Sequence, residues 1–564
     1  MATKGSPSGF VAPLTESPTT SLRCSSTTPN IIVSSSDKIE DPEKAPPALE
    51  PSTSTDASPT IQGDDALNIV SDTIRYVTPE ENRRVLRKID RHVMPVLFII
   101  YFLQFMDKHI LALASVFGIV RETHLQGEQY SVIGSMAPIA QLVLQPLSAF
   151  FLVRFRLSIY MPILVICWGT TLACMAAARN FTGLVVSRFF LGGFETSTQA
   201  AFILMGQMWY KRQEQGLRLM IWFSNVGWVD IVGSLIMYGF GHINKGSIHS
   251  YQIAFIALGA VTAATGIASF VFFPDSPVKS KFLTQEEKVI AVERIRANQQ
   301  GVETKIFKLT QVVETLLDLK SWCWMGLLIL HATPTGAITV FGPLVVKGFG
   351  YDGYDTMLFL IPYGALQVIA MVLSYWVSTK IHTKSPLVLI FLIPCMIGMI
   401  ILYTTGRDKE HQPALLVAYY LLAAQSAVTP TMLGWQAVNT AGHTKKASTT
   451  AMTIMGSYTG GIVGPLLFQP KDGPYYHSGI LACIICYSGA ATLTVFTTAY
   501  LYYLNKRNEA RRVAVGKPAK LIDHSMTSAA NEKDGVGSPE GSNIGKRAFE
   551  DLTDLQNDEF IYVL

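Results

Sequence analysis

The sequence predicts an all-α polytopic membrane protein with twelve transmembrane helices in two six-helix halves. Three observations carry that expectation. Twelve apolar runs follow one another, each near the ~20 residues a helix needs to cross a bilayer. They lie in a chain of 564 residues that is 49% hydrophobic and 15% charged, against about 25% charged in an average soluble domain. Basic residues gather on alternate connections, as the positive-inside rule requires. One long polar connection then divides the runs into six and six.

Residues 1–85 are rich in Ser, Thr, Pro and acids without sustained periodicity, and are expected to form a disordered cytoplasmic tail. No apolar stretch there resembles a cleaved signal. The cluster Arg83, Arg84, Arg87, Lys88 and Arg91 abuts the first run and places the N-terminus in the cytoplasm. The first six runs are expected at 93–115, 130–152, 158–178, 181–208, 219–241 and 251–273, within a half spanning 86–273. Arg154 and Arg156, then Lys211, Arg212 and Arg218, mark inner connections. Trp209 and Tyr210 read as an interfacial aromatic pair.

Residues 274–321 form the expected cytoplasmic linker. It opens at Pro274-Asp275-Ser276-Pro277, and Thr284-Gln285-Glu286-Glu287 offers a capping box to a short amphipathic helix. The second half, 322–504, holds runs at 322–346, 355–379, 386–404, 412–435, 448–469 and 477–503, with Lys380, Lys384, Lys445 and Lys446 on inner connections. Ile231-Val232-Gly233-Ser234-Leu235 is echoed by Ile462-Val463-Gly464-Pro465-Leu466, in corresponding runs of a six-plus-six repeat. Residues 505–564 are expected to be a disordered cytoplasmic tail with a basic start. Of seven cysteines, six lie in apolar runs; Cys483 and Cys486 form a CxxC without a second pair and read as packing residues.

Charges inside the runs locate the candidate site. Arg188 and Glu195 are seven residues apart, two turns on nearly one helix face, with Gly192 and Gly193 between them. A charge in lipid costs at least a few kcal/mol, so the pair implies a polar interior shared with other helices. In run one, Asp107 and Lys108 point about 100° apart and each needs a partner from another helix. Gln141 and Gln145 in run two, Asp230 in run five, and His331 with Thr335 in run seven complete the set. No GxxxxGK[ST] loop suggests drive by ATP. The histidines lack metal-ligand spacing, and no cofactor, enzymatic reaction or nucleic-acid partner is expected. The sequon Asn180-Phe181-Thr182 falls on a very short outer connection close to the membrane, which argues against glycosylation.

At these residues the chain resembles the fungal allantoate permease family, in the anion:cation symporter branch of the major facilitator superfamily. The resemblance runs from Leu86 to Tyr503. It is carried by Tyr101-Phe102-Leu103-Gln104-Phe105 with Asp107-Lys108, Ala114-Ser115-Val116-Phe117-Gly118, Arg188-Phe189-Phe190-Leu191-Gly192 with Glu195, and Met208-Trp209-Tyr210-Lys211-Arg212. Further on it rests on Pro274-Asp275-Ser276-Pro277, Phe341-Gly342-Pro343-Leu344, Lys347-Gly348-Phe349-Gly350 and Ala441-Gly442-His443-Thr444-Lys445-Lys446. It implies the major facilitator fold and transport of small organic anions or vitamins, such as allantoate, nicotinate, biotin or pantothenate, usually with protons. The chain departs from the family at Leu144-Gln145-Pro146, Gln199-Ala200, Thr335-Gly336-Ala337, Gly460-Gly461 and Gly464-Pro465-Leu466, where polar groups have become neutral, smaller or apolar.

The expected function is alternating-access secondary transport of a small organic anion or vitamin-like compound by a monomer, with the proton coupling that the resemblance implies. Arg188, Gln145, Asp230, Thr335 and His331 are the candidate substrate-binding residues, and Glu195 and Asp107 the candidates for proton coupling. The plasma membrane is the expected site, the vacuolar membrane the alternative, with both termini cytoplasmic. Export of a fungal secondary metabolite, or a receptor without transport, are the other readings.

Overall fold

The computed structural model describes residues 78–243, 248–296, 308–381, 383–469, 472–514, 516, 552–557 and 560–564. Among these, the secondary structure is helical throughout. The chain runs through α1 (Pro79–Val116), α2 (Ile119–Glu122), α3 (Gln129–Arg154), α4 (Leu157–Met175), α5 (Phe181–Trp209) and α6 (Arg212–Phe223). It continues with α7 (Asn225–Gly241), α8 (Ser250–Phe272), α9 (Gln285–Arg296), α10 (Leu309–Leu317), α11 (Leu319–Lys347) and α12 (Gly353–Lys380). It ends with α13 (Ser385–Thr404), α14 (Gln412–Leu421), α15 (Val428–Val438), α16 (His443–Leu467) and α17 (His477–Ala514). Helices α6 and α7 form one span broken at Ser224, and α14 and α15 another, joined by a 3-10 turn at Leu422–Ala427. Counted this way, the described residues make twelve spans.

Ten of them are long and apolar enough to cross a membrane by length and composition alone. The other two, α5 and α16, are diluted by what they carry: α5 holds Arg188 and Glu195, and α16 is rich in Gly and Thr. Large side chains such as Ile267, Val271 and Phe272 stand exposed around the bundle, as expected of a surface solvated by lipid rather than water. The echo between runs five and eleven falls in equivalent places, since Gly233 packs on α1 and Gly464 on α11, the first span of each half.

Several local expectations change. Residues 1–77 of the expected N-terminal tail lie outside the described residues, as do 297–307 of the linker and 517–551 of the C-terminal tail. Helix α1 begins at Pro79, so the basic cluster is helical rather than part of a disordered 1–85 tail. Thr78 and Glu81 form a reciprocal capping box there, with the Glu81 N–H donating to Thr78 Oγ1 at 3.3 Å. The capping box at Thr284 and Glu287 is present and starts α9. Trp209 and Tyr210 are buried rather than interfacial, because the linker folds under them. Phe282 stacks on Trp209 at 5.6 Å, and the Arg218 guanidinium lies 4.7 Å from the Tyr210 ring. Residues 505–514 of the expected disordered tail continue α17, and 552–557 and 560–564 are folded against its end.

The two ends of the bundle differ. At the end remote from the linker, the halves are joined by hydrogen bonds. Tyr130 donates to the Val340 carbonyl (3.0 Å), Ser131 to Phe468 (2.8 Å) and Ser135 to Ile462 (2.8 Å). Lys347 donates to Val116 (2.9 Å) and Tyr354 to Gly241 (2.7 Å). At the linker end, the described ion pairs stay with one half or the other. Arg218–Asp90 (2.7 Å) joins α6 to α1, and Lys88–Glu287 (2.5 Å) and Arg294–Glu214 (2.9 Å) fasten α9 to the first half. Lys445 pairs with Glu314 and Asp318, both at 2.9 Å, in the second.

Candidate functional site

Helix α5 can carry two charges because its neighbours come close and are polar. A Cβ added at Gly192 would stand 2.5 Å from the Ala137 carbonyl oxygen. Only glycine therefore lets α3 and α5 cross at this depth, and that crossing brings Gln141 of α3 to Glu195. Gln141 Nε2 donates to Glu195 Oε2 at 3.3 Å, and Lys108 Nζ lies 3.6 Å from the same oxygen. Gln104 Nε2 donates to the Glu195 main-chain carbonyl at 3.5 Å. The partner of Glu195 is thus Lys108 from α1, not Arg188 on its own helix.

Arg188 turns instead to the Asp107 main chain, where Nη1 donates to the carbonyl at 3.3 Å. Its Nε has no hydrogen-bond partner, nor has either oxygen of the Asp107 carboxylate or Oε1 of Glu195. All three side chains are at most 2% exposed. The structure therefore gathers Asp107, Arg188 and Glu195 into one cluster built by α1, α3 and α5.

Asp230 is held apart from this cluster. Its Oδ1 lies 3.1 Å from His109 Nδ1 and its Oδ2 has no partner. It stands where α7 crosses α12 at Gly227 and Gly364; a Cβ at Gly364 would be 3.0 Å from the Asp230 Cβ. His331 and Thr335 belong to a third group, in the second half. His331 Nε2 is 3.1 Å from Thr429 Oγ1 and its Nδ1 has no partner. Gln425 receives the Tyr487 hydroxyl at 2.8 Å and the Thr335 hydroxyl at 3.3 Å, and donates to the Tyr363 hydroxyl at 3.1 Å.

Gln145 is half-buried, with a partnerless Oε1; its neighbour one turn earlier, Gln141, makes the contact to Glu195. Asn180 caps α5, its Oδ1 accepting from the Gly183 N–H at 2.9 Å. His109, Gln104, Tyr363 and Tyr487 join these groups without having been singled out from the sequence. His109 stands two residues from Asp107, but a single sequence holds no signal for which residue of another helix it meets.

Comparison with known proteins identifies the scaffold. Residues 97–465 match the family model of the Major Facilitator Superfamily. The chain is 32% identical over 494 residues to the Thiamine pathway transporter THI73 of Saccharomyces cerevisiae, covering 86% of this chain and 88% of the relative. An allantoate permease of the same yeast is more distant, 28% identical over 509 residues, covering 86% and 88%. Among solved structures, the proton:xylose symporter XylE is similar with a TM-score of 0.56 at 14% identity, covering 73% of this chain and 96% of that one. Twelve helical spans, a charged centre and these relatives lead to one conclusion: the chain is an integral, multi-pass membrane protein and secondary transporter that belongs to the Major Facilitator Superfamily.

Proposed function

We propose that this transporter moves a small organic anion together with a proton, by alternating access around the cluster on α1, α3 and α5. One observation carries the reading: a buried guanidinium with a partnerless Nε stands among two buried carboxylates with three partnerless oxygens. A site complete in itself would leave fewer such groups, since an unsatisfied buried polar group costs about 1–3 kcal/mol. Arg188 supplies a planar donor that suits a substrate carboxylate. Asp107, with both oxygens free, and Glu195, with Oε1 free, are the proton-exchanging groups. Asp230, His331, Thr335 and Gln145 are the other substrate-side groups of the reading, and His109 joins Asp230.

The motif residues and the allantoate permease relative support placement on that branch of the superfamily. The basic residues at the linker end support a cytoplasmic position for that end. With hydrogen bonds joining the halves only at the opposite end among those described, the conformation is inward-facing.

The test is uptake of labelled allantoate, nicotinate and pantothenate into proteoliposomes under an imposed proton gradient. Parent protein is expected to accumulate at least one solute and to lose accumulation when the gradient is collapsed. Arg188→Met combined with Glu195→Gln should reach the membrane yet show no gradient-driven uptake. A double variant that transports at the parent rate with the same pH dependence would remove the pair from the mechanism.

A further inference from the structure

Outside the transport site, the most completely built polar cluster lies at the linker end of the second half, and what fills it is a stretch of the chain's own tail. Its main chain is read by side chains. Asn439 donates from Nδ2 to the Val563 carbonyl (2.9 Å) and accepts the Val563 N–H on Oδ1 (2.8 Å). Asn505 does the same for Tyr562, both at 2.8 Å. Asn508 donates to the Phe560 carbonyl (3.1 Å), and the Trp435 indole to Val563 (2.8 Å). A run of paired donors and acceptors along an extended backbone is how a sheet edge captures a peptide; here asparagine amides take the place of the edge.

Two side chains of the segment enter pockets. Asp554 is fully buried between Lys320 and Lys445, themselves fully buried; Lys320 bonds it directly and Lys445 lies at 3.1 Å. The Tyr562 hydroxyl donates to Asp554, 3.0 Å from both its carboxylate and its main-chain oxygen, with Lys320 Nζ 4.9 Å from the ring. Without the segment, the two ammonium groups would keep Asp318 and the partly exposed Glu314 but lose their contacts to Asp554. The receiving residues come from α11, α15, α16, α17 and the connections beside them, all in the second half.

We propose that this face is a peptide-binding site. Its ligand is a folded-back segment bearing a carboxylate eight positions before a tyrosine whose hydroxyl returns to it, supplied here by Asp554 and Tyr562 of the same chain. The asparagines read backbone and are indifferent to sequence. Specificity lies in the two lysines, which select the carboxylate, and in the seat of the tyrosine.

The experiment uses the full chain with a protease site inserted between Met526 and Gly535, purified in detergent and cut after folding. The fragment carrying the segment is expected to remain with the bundle through gel filtration. A fluorescent synthetic peptide of residues 551–564 should displace it, and the same peptide with Asp554→Asn should compete at least about tenfold less well. Because that substitution is made in the peptide, misfolding of the transporter cannot imitate its effect. Loss of the fragment on cutting, or equal competition by the two peptides, would overturn the proposal.

Discussion

Glu195 and Arg188 sit on one face of one helix, yet the cation beside Glu195 arrives from α1. Removing Lys108 leaves a buried carboxylate with only Gln141 as donor, whereas removing Arg188 takes one hydrogen bond from a main-chain carbonyl. Lys108→Met is therefore expected to cost about 3–5 kcal/mol and to lower the folded yield sharply. Arg188→Met should reduce yield far less while abolishing uptake, and Glu195→Gln added to Lys108→Met should recover yield but not uptake. Gel-filtration yield measured beside flux checks this; equal losses for the two single variants would sink it. Asp554 offers a second residue-scale test. Burial raises its carboxyl, but the Lys320 and Lys445 ammonium groups outweigh burial and hold it below the ordinary carboxylate value, with Asp318, Glu314 and Tyr562 facing the same cluster. A depressed carboxyl stabilises docking above its free pKa of about 3.9 and loses that contribution only as pH falls through the lowered value. The anisotropy of a dye at residue 556 should thus stay flat from about pH 8 to about pH 5; a midpoint between them would contradict this origin. Which residues were charged inside the membrane was legible in the sequence. Which met which was not, because spacing gives the face of a helix and not its register against a neighbour.

Elements follow the same division. The apolar runs located all twelve spans, since bilayer thickness imposes their length, but their ends were set by groups outside the runs. The Thr78–Glu81 box starts α1 well before its apolar part, and α17 runs on to Ala514 because Asn505, Asn508 and Arg511 are engaged by the tail. The tail itself has no periodic apolar pattern, so nothing local announced that it folds. Gly192 was readable as a close-packing site, and the structure names its partner. At Gly192 a side chain would meet the Ala137 backbone, which cannot rotate away, whereas nothing lies within 4 Å of a Cβ at Gly239. Gly192→Leu is expected to separate α3 from α5 and leave little monodisperse protein, while Gly239→Leu keeps parent yield and uptake. Similar yields for the two variants would show that the crossing is not tight.

Across the whole molecule, the described hydrogen bonds between the halves lie at one end. Ser131→Ala with Ser135→Ala removes two of those ties, each worth about 0.5–1.5 kcal/mol. The closed end should then open in a measurable fraction of molecules. Spin labels at Glu128 and Tyr475 are expected to gain a longer-distance population that the parent lacks; an unchanged distribution would mean those bonds do not hold the end shut.

The docked tail also bears on the order in which the protein can be made. Lys445 leaves the ribosome roughly a hundred residues before Leu552, and at ~5–20 residues per second the delay is on the order of 5–20 seconds. Through that interval Lys320 and Lys445 lack Asp554, and the seat of Tyr562 stands empty while the last spans insert. A chain interrupted before residue 552 would never fill that gap, so an incomplete product carries a visible mark at the base of its second half.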